Sequence, residues 1–193
     1  KELPVLLVNG YLEGDNIYCT LCDDRSATHH AAGKLIASGC RSILYLYTSH
    51  SYSGKNKLSG YQDALKGHGL PVREDYICQC PKNVLAARDL LMQLHQKGVF
   101  FDAVLASDDT LAVGAVKYAH AVKRSIPDDF SIIGYNNSVY AVCTDPELTS
   151  IDSRVEALCS TAITTLMGVF NGVSVPSRTN IAADLIKRAT TKF

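Results

Sequence analysis

Three acidic pairs, a hydroxyl-rich stretch and two lysines are the groups in this chain that could do chemistry, and most of them follow short apolar runs. Val5–Val8 stops at Asn9, Ile43–Tyr47 at Thr48-Ser49-His50-Ser51, Ala103–Ala106 at Ser107-Asp108-Asp109, and Ser131–Tyr135 at Asn136-Asn137. Paired carboxylates invite general acid/base work, but Asp24 precedes a helical pattern and suits a cap, while Asp128-Asp129 after Pro127 is turn chemistry. Asp109 is likewise placed to cap a helix beginning near Thr110, which leaves Asp108 at a strand's end to meet a ligand. Lys55 and Lys57 flank a helix start, where the macrodipole disfavours positive charge, so one of them is expected to be held there by function. A lysine ammonium suits sugar hydroxyls, a carboxylate or a phosphate.

Other chemistries fail on their motifs. Ser49-His50-Ser51-Tyr52-Ser53-Gly54-Lys55-Asn56 sits where a phosphate-binding loop would sit, yet Ser49 replaces the first glycine and Asn56 the magnesium-binding hydroxyl. A hydroxyl-rich loop serves equally well for a neutral polyol. No Gly-x-Ser-x-Gly turn is present, so no catalytic residue is assigned. The six histidines show no ligand spacing, and Cys19-x-x-Cys22 lacks a second pair to complete a zinc site, so neither a metal nor a cofactor is expected. Seven scattered cysteines in a chain of this size point to reduced thiols, with Cys19 and Cys22 as plain buried ones.

The elements that must position these groups alternate. Strand Val5–Val8 and strand Ile17–Cys22 are followed by a helix from about Arg25 to Ser38, closed by Gly39. Strand Ile43–Tyr47 precedes a helix around Lys57–His68, Tyr76–Cys78 precedes Val84–Lys97, and Ala103–Ala106 precedes Thr110–Arg124 and strand Ser131–Tyr135. Such alternation implies parallel strands with crossover helices, hence an α/β, Rossmann-like fold. Tyr135–Asp152 lacks periodicity and is expected to be a loop. A last helix carries Val155, Leu158, Ala162, Ile163, Leu166 and Phe170, ahead of an extended tail, Thr179–Arg188.

The 193 residues are 47% hydrophobic, enough for a packed core, and 19 basic residues balance 19 acidic ones. Nothing in that balance advertises DNA as a partner of this piece. No apolar stretch approaches the roughly 20 residues that span a bilayer, and no signal peptide is visible at the N-terminus. The expectation is a cytoplasmic protein without membrane contact, whose true start lies ahead of Lys1.

Four ordered segments are more specific: Lys57-Leu58-Ser59-Gly60-Tyr61-Gln62-Asp63-Ala64-Leu65, Ser107-Asp108-Asp109-Thr110-Leu111-Ala112-Val113-Gly114-Ala115, Ile126-Pro127-Asp128-Asp129-Phe130-Ser131-Ile132-Ile133-Gly134-Tyr135-Asn136-Asn137 and Asp145-Pro146-Glu147-Leu148-Thr149-Ser150-Ile151. Together they resemble the lactose-repressor and galactose-repressor family of bacterial transcription regulators, across nearly the whole chain. The resemblance implies a periplasmic-binding-protein-like module of two Rossmann-like lobes joined by three crossovers, with a small effector in the cleft between them. On that mapping residues 23–152 and 179–193 form the C-terminal lobe, and residues 1–22 and 153–178 form part of the N-terminal lobe. The helix-turn-helix headpiece of the family is absent, so operator DNA would be reached only through it, and a homodimer is implied.

By matching position, the family's effector contacts would fall on Asn9, Ser51, Ser53, Lys57, Asp108 and Asn136. Lys57 stands where the family commonly has arginine, Asp108 where it has asparagine, and Asn9 and Asn136 where it has aspartate. The family's usual aspartates have become amides and its bidentate guanidinium a point charge. Lys82 takes the place of a stacking aromatic found in some relatives, which disfavours a purine. A sugar or sugar derivative is the expected effector. A transport-associated sugar-binding protein of the same architecture and an α/β enzyme using the Ser49–Lys57 stretch are the alternatives.

Overall fold

The computed structural model describes residues 3–193; residues 1 and 2 of the expected N-terminal-lobe segment lie outside them. In chain order the elements are β1 (Val5–Val8), β2 (Ile17–Cys22), α1 (Asp24–Ala37), β3 (Ile43–Tyr47), α2 (Tyr52–Gly67), β4 (Ile77–Gln79), α3 (Val84–Gln96), β5 (Ala103–Ala106) and α4 (Asp109–Ala121). They continue with β6 (Ser131–Tyr135), α5 (Val139–Cys143), β7 (Thr149–Asp152), α6 (Val155–Phe170), β8 (Arg178–Ile181) and β9 (Asp184–Ile186). The fold class is the expected one: parallel-dominated sheets flanked by helices.

Six strands form one sheet in the order β4-β3-β5-β6-β7-β9, parallel except for the last pair, and β1-β2-β8 form a second, all-parallel sheet. Covering both faces of the larger sheet requires strands that are apolar on both sides, and β3, β5 and β6 are buried along almost their whole length. Leu44, Leu46, Val104, Ala106 and Ile132 point to the α3/α4 side, where Leu91, Phe101, Leu111, Ala115 and Phe130 pack. Ile43, Tyr45, Ala103, Leu105 and Ile133 point to the α1/α2 side with Ala31, Leu35, Tyr61 and Ala64. Alternate residues of each strand therefore feed opposite cores. The helix pairs approach closely: a Cβ on Gly60 would lie 2.2 Å from the Arg25 carbonyl oxygen, and one on Gly114 2.5 Å from Ala87 Cβ.

Several boundaries differ from the sequence expectation for local reasons. Helix α2 starts at Tyr52 rather than near Lys57, because the Ser51 hydroxyl accepts from Gly54 N–H at 3.1 Å and caps it. Gly54 permits that tight entry, since a Cβ there would sit 2.3 Å from Ser49 O. The supposed loop Tyr135–Asp152 contains α5 and β7; five residues of helix and four of strand are too short to show a period. The tail assigned to one lobe as 179–193 divides. Arg178–Ile181 pairs with β2 in the small sheet, whereas Asp184–Ile186 joins the large one and Thr190, fully buried, is hydrogen-bonded to β6 and β7.

Helix α6 lies on the small sheet and leaves Ile163, Met167 and Phe170 exposed, as are Val5 and Val8 on β1. Among the described residues no helix is long and apolar enough to cross a membrane. All seven cysteines are free, with Cys19 and Cys22 buried and Cys143 and Cys159 exposed.

Candidate functional site

The carboxyl ends of parallel strands β3, β5 and β6 bring α2, Asp108 and Asn136 to one side of the large sheet, where open α/β sheets collect ligands. Asp108, not Asp109, caps α4: its Oδ1 accepts from Thr110 N–H at 2.8 Å. Its Oδ2 accepts from Asn136 Nδ2 at 2.9 Å and pairs with Lys82 Nζ at 2.7 Å. Burial alone would raise the Asp108 pKa, but the donors from Lys82 and Thr110 outweigh it and hold the carboxyl below its ordinary value. Asn136 leaves β6 with φ +94° and Asn137 with φ +46°, left-handed backbone that asparagine tolerates better than most residues. This turn is what aims Asn136 back toward Asp108.

Lys57 lies in the second turn of α2, not at a helix start as the sequence suggested, and is only 8% exposed. Its Nζ donates to Ser107 O at 3.3 Å, lies 3.5 Å from the Tyr135 ring centroid and is 4.0 Å from Asp24 Oδ1. Burial lowers the Lys57 pKa, opposed by the charges of Asp24, Cys22 and Asp108. Asp24 is not the cap of α1: Asp23 accepts from Ser26 N–H at 3.2 Å, and Asp24, 2% exposed, accepts from Tyr135 Oη at 2.6 Å.

Asp109 is turned into the protein. It accepts from Ser150 Oγ at 2.6 Å, Ser138 N at 2.7 Å and Ser138 Oγ at 2.8 Å, fastening the loops after β5 and β6 to β7. Burial pushes its carboxyl pKa up against those hydrogen bonds.

Ser51, exposed, is committed to its cap, while the half-buried Ser53 hydroxyl has no hydrogen-bond partner among the described residues. Asn9 ends β1 with φ +57°; its N–H donates to Thr20 O at 2.8 Å and its Oδ1 accepts from Cys22 N–H at 3.3 Å. Asp108 and Asn136 are thus directly bonded, Lys57 reaches the peptide next to Asp108, and Ser51 and Ser53 flank the same helix start. Asn9 follows β1 of the small sheet and bonds Cys22, whose Sγ lies 3.6 Å from Tyr135 Oη. Beside Asn136 a polar cavity of about 440 Å³ is lined by Asn137, Asp152, Arg154, Glu156 and Asp184.

Sequence reasoning missed the Cys22–Asp24–Tyr135 group and the pairing of Lys82 with Asp108. Only the polarity of Asp24 at a strand-to-helix junction could have signalled the first, and nothing in sequence spacing signals the second. The arrangement presents fixed donors and acceptors for binding, and among the described residues no group of three or more His, Cys, Asp or Glu could hold a metal ion.

A model of the periplasmic binding protein-like domain matches residues 32–191. An HTH-type transcriptional regulator of Lachnoclostridium phytofermentans is 52% identical over 192 residues, covering 100% of this chain and 58% of that protein. The chain belongs to the periplasmic binding protein-like domain family. The HTH-type transcriptional regulator AscG of Escherichia coli is 27% identical to this chain over 96% of its length and 55% of the regulator's. Among solved structures, a sugar-binding transcriptional regulator of the LacI family from Escherichia coli, complexed with phosphate, superposes with a TM-score of 0.87 at 28% identity. It covers 97% of this chain and 67% of that one. The chain spans little more than half the length of these curated relatives, which are named as transcriptional regulators and not as enzymes.

Proposed function

We propose that this chain is the effector-sensing and dimerising part of a bacterial LacI-type transcriptional regulator. It takes a sugar or sugar derivative into the cleft between its two sheets, with contacts from Asn9, Ser51, Ser53, Lys57, Asp108 and Asn136. The observation that carries this reading is the hydrogen-bonded set of Asp108, Asn136 and Lys82 at the carboxyl ends of the parallel strands. An ionised carboxylate, an amide and an ammonium offer both acceptors and donors at fixed positions, which suits a ring of hydroxyls that each donate and accept. Charges of both signs favour a neutral ligand over an anion.

The effector is not transformed in this mechanism. It binds one relative position of the two lobes better than another and shifts their population, and a cytoplasmic dimer passes that shift to DNA-binding heads in the rest of the protein. The larger lobe would hold residues 23–152 and the β9 segment, and the smaller one β1, β2, α6 and β8. The exposed apolar residues of β1 and α6 fit a smaller lobe completed by further chain.

The test is a calorimetric titration of the full-length protein with a panel of mono- and disaccharides, followed by operator binding with and without the sugar that binds. A sugar that binds and changes operator affinity is expected. Binding with unchanged operator affinity would remove the regulatory role, and a folded protein that takes no sugar would remove the ligand class.

A further inference from the structure

Besides the chain crossings, the small sheet and the large one meet through a cluster of aromatic and cationic side chains. Tyr11, just after β1, stacks on Tyr52, the first residue of α2, with ring centroids 5.0 Å apart and planes inclined by 29°. Arg178 on β8 donates from Nη2 to Tyr52 Oη at 3.0 Å, and its guanidinium lies 5.1 Å from the Tyr11 ring centroid. Both small-sheet partners are held from their own side. Glu13 accepts from the Tyr11 hydroxyl, and Asn180 Oδ1 accepts from Arg178 Nε at 3.3 Å.

The position of this cluster gives it consequence. Tyr11 is two residues beyond Asn9, and Tyr52 stands between Ser51 and Ser53, so the two rings meet between candidate ligand contacts of opposite sheets. Offset aromatic pairs attract through their quadrupoles, and a planar guanidinium adds both a hydrogen bond and a face-on contact. The Tyr11–Tyr52 stack and the Arg178–Tyr52 bond both cross between the sheets, so moving the sheets apart breaks them together, while the Arg178–Tyr11 contact stays on the small-sheet side and holds the two partners in place.

We propose that Tyr11, Tyr52 and Arg178 form a clasp across the mouth of the cleft that holds the two lobes closed before any effector arrives. They are positioning residues for the binding site. This rests on the two-lobe reading above and deepens it, because apparent affinity scales with the fraction of protein already in the binding-competent arrangement. Weakening the clasp opens the cleft and weakens effector binding without removing a ligand contact.

The experiment uses the full-length protein without sugar. Cys143 on α5 and Cys159 on α6 are exposed; α5 packs on α4, which covers the large sheet, and α6 packs on the small sheet, so spin labels there report the relative position of the lobes once other reactive thiols are replaced by serine. Pulsed dipolar spectroscopy should give wild-type protein one dominant distance that matches the present structure. Tyr52→Ala should lower the closed-to-open ratio about five- to tenfold and show a second distance. Tyr52→Phe, which keeps the stack and loses the bond from Arg178, should lower it about two- to threefold. Distributions for Tyr52→Phe, Tyr52→Ala and Arg178→Ala that superimpose on wild type would overturn the clasp, as would a wild-type distribution dominated by another distance. Because no sugar is added, those outcomes leave the ligand class untouched, and failure of the sugar titration leaves the distances standing.

Discussion

The Lys57 ammonium lies 3.5 Å from the centroid of the Tyr135 ring, and the hydroxyl of that ring donates to Asp24 at 2.6 Å. Cation, aromatic face and carboxylate form one buried stack that joins α2, β6 and the start of α1. Its edge is touched by Cys22, the last residue of the small sheet's β2. The charge that sequence matching assigns to an effector is therefore already engaged by protein, and the stack lies where one sheet hands the chain to the other.

Replacing Lys57 by methionine should consequently act first on stability. Asp24 is 2% exposed and would keep its neutral partner Tyr135 but lose its cationic one, leaving an uncompensated buried charge costing about 3 kcal/mol. Lys57→Met should lower the urea midpoint accordingly, and Lys57→Met/Asp24→Asn should recover most of the loss because neither charge remains. A double variant no more stable than the single one would show that Lys57 works through packing and not through charge.

Cys22 supplies a pH dependence from the same place. Burial, and secondly the charge of Asp24, push its thiol pKa up from 9.0 to about 11. Between those values the unfolded chain has released a proton that the folded protein keeps, so stability falls as pH rises through the window. Two units correspond to about 2.7 kcal/mol at most. Unfolding free energies of wild type and Cys22→Ala, measured from pH 8 to pH 11, should converge by roughly 2 kcal/mol as the wild type loses this contribution. Parallel curves would mean the thiol titrates normally in the folded state.

Strands β3, β5 and β6 of the large sheet were legible because they are continuous apolar runs closed by polar residues, and period and length separate such runs from the helices between them. Helix α5 and strand β7 fall inside the stretch that reads as a loop, because five residues are too few for a helical period and Thr149–Asp152 is mostly polar, while β8 and β9 read together as one extended tail, Thr179–Arg188. Among the site residues, Asp108 and Asn136 converge as their strand-end positions suggest. The capping roles were each misplaced by one residue, with Asp24 and Asp109 expected at caps that Asp23 and Asp108 occupy. Adjacent aspartates look alike in sequence; the backbone angle at the first turn decides which carboxylate faces the helix N–H groups and which turns inward.

That one-residue distinction separates two neighbouring carboxylates by function, and it is measurable. Asp108 spends its Oδ1 on a helix cap, while its Oδ2 bonds Asn136 and a Lys82 side chain that is 61% exposed. Asp108→Ala should cost about 1 kcal/mol for the cap and little for the exposed partner, while removing the central acceptor of the proposed sugar site. Asp109 is 1% exposed and satisfies Ser138 N, Ser138 Oγ and Ser150 Oγ. Asp109→Ala leaves all of them without that acceptor in a buried loop junction and should cost about 3 kcal/mol. Urea midpoints of the two variants, with sugar titrations at a temperature where both are folded, should show Asp108→Ala stable and defective in binding and Asp109→Ala unstable with the greater part of its affinity retained. A reversed order of urea midpoints would exchange their structural roles, and a reversed order of affinities would move the ligand site from Asp108 to Asp109.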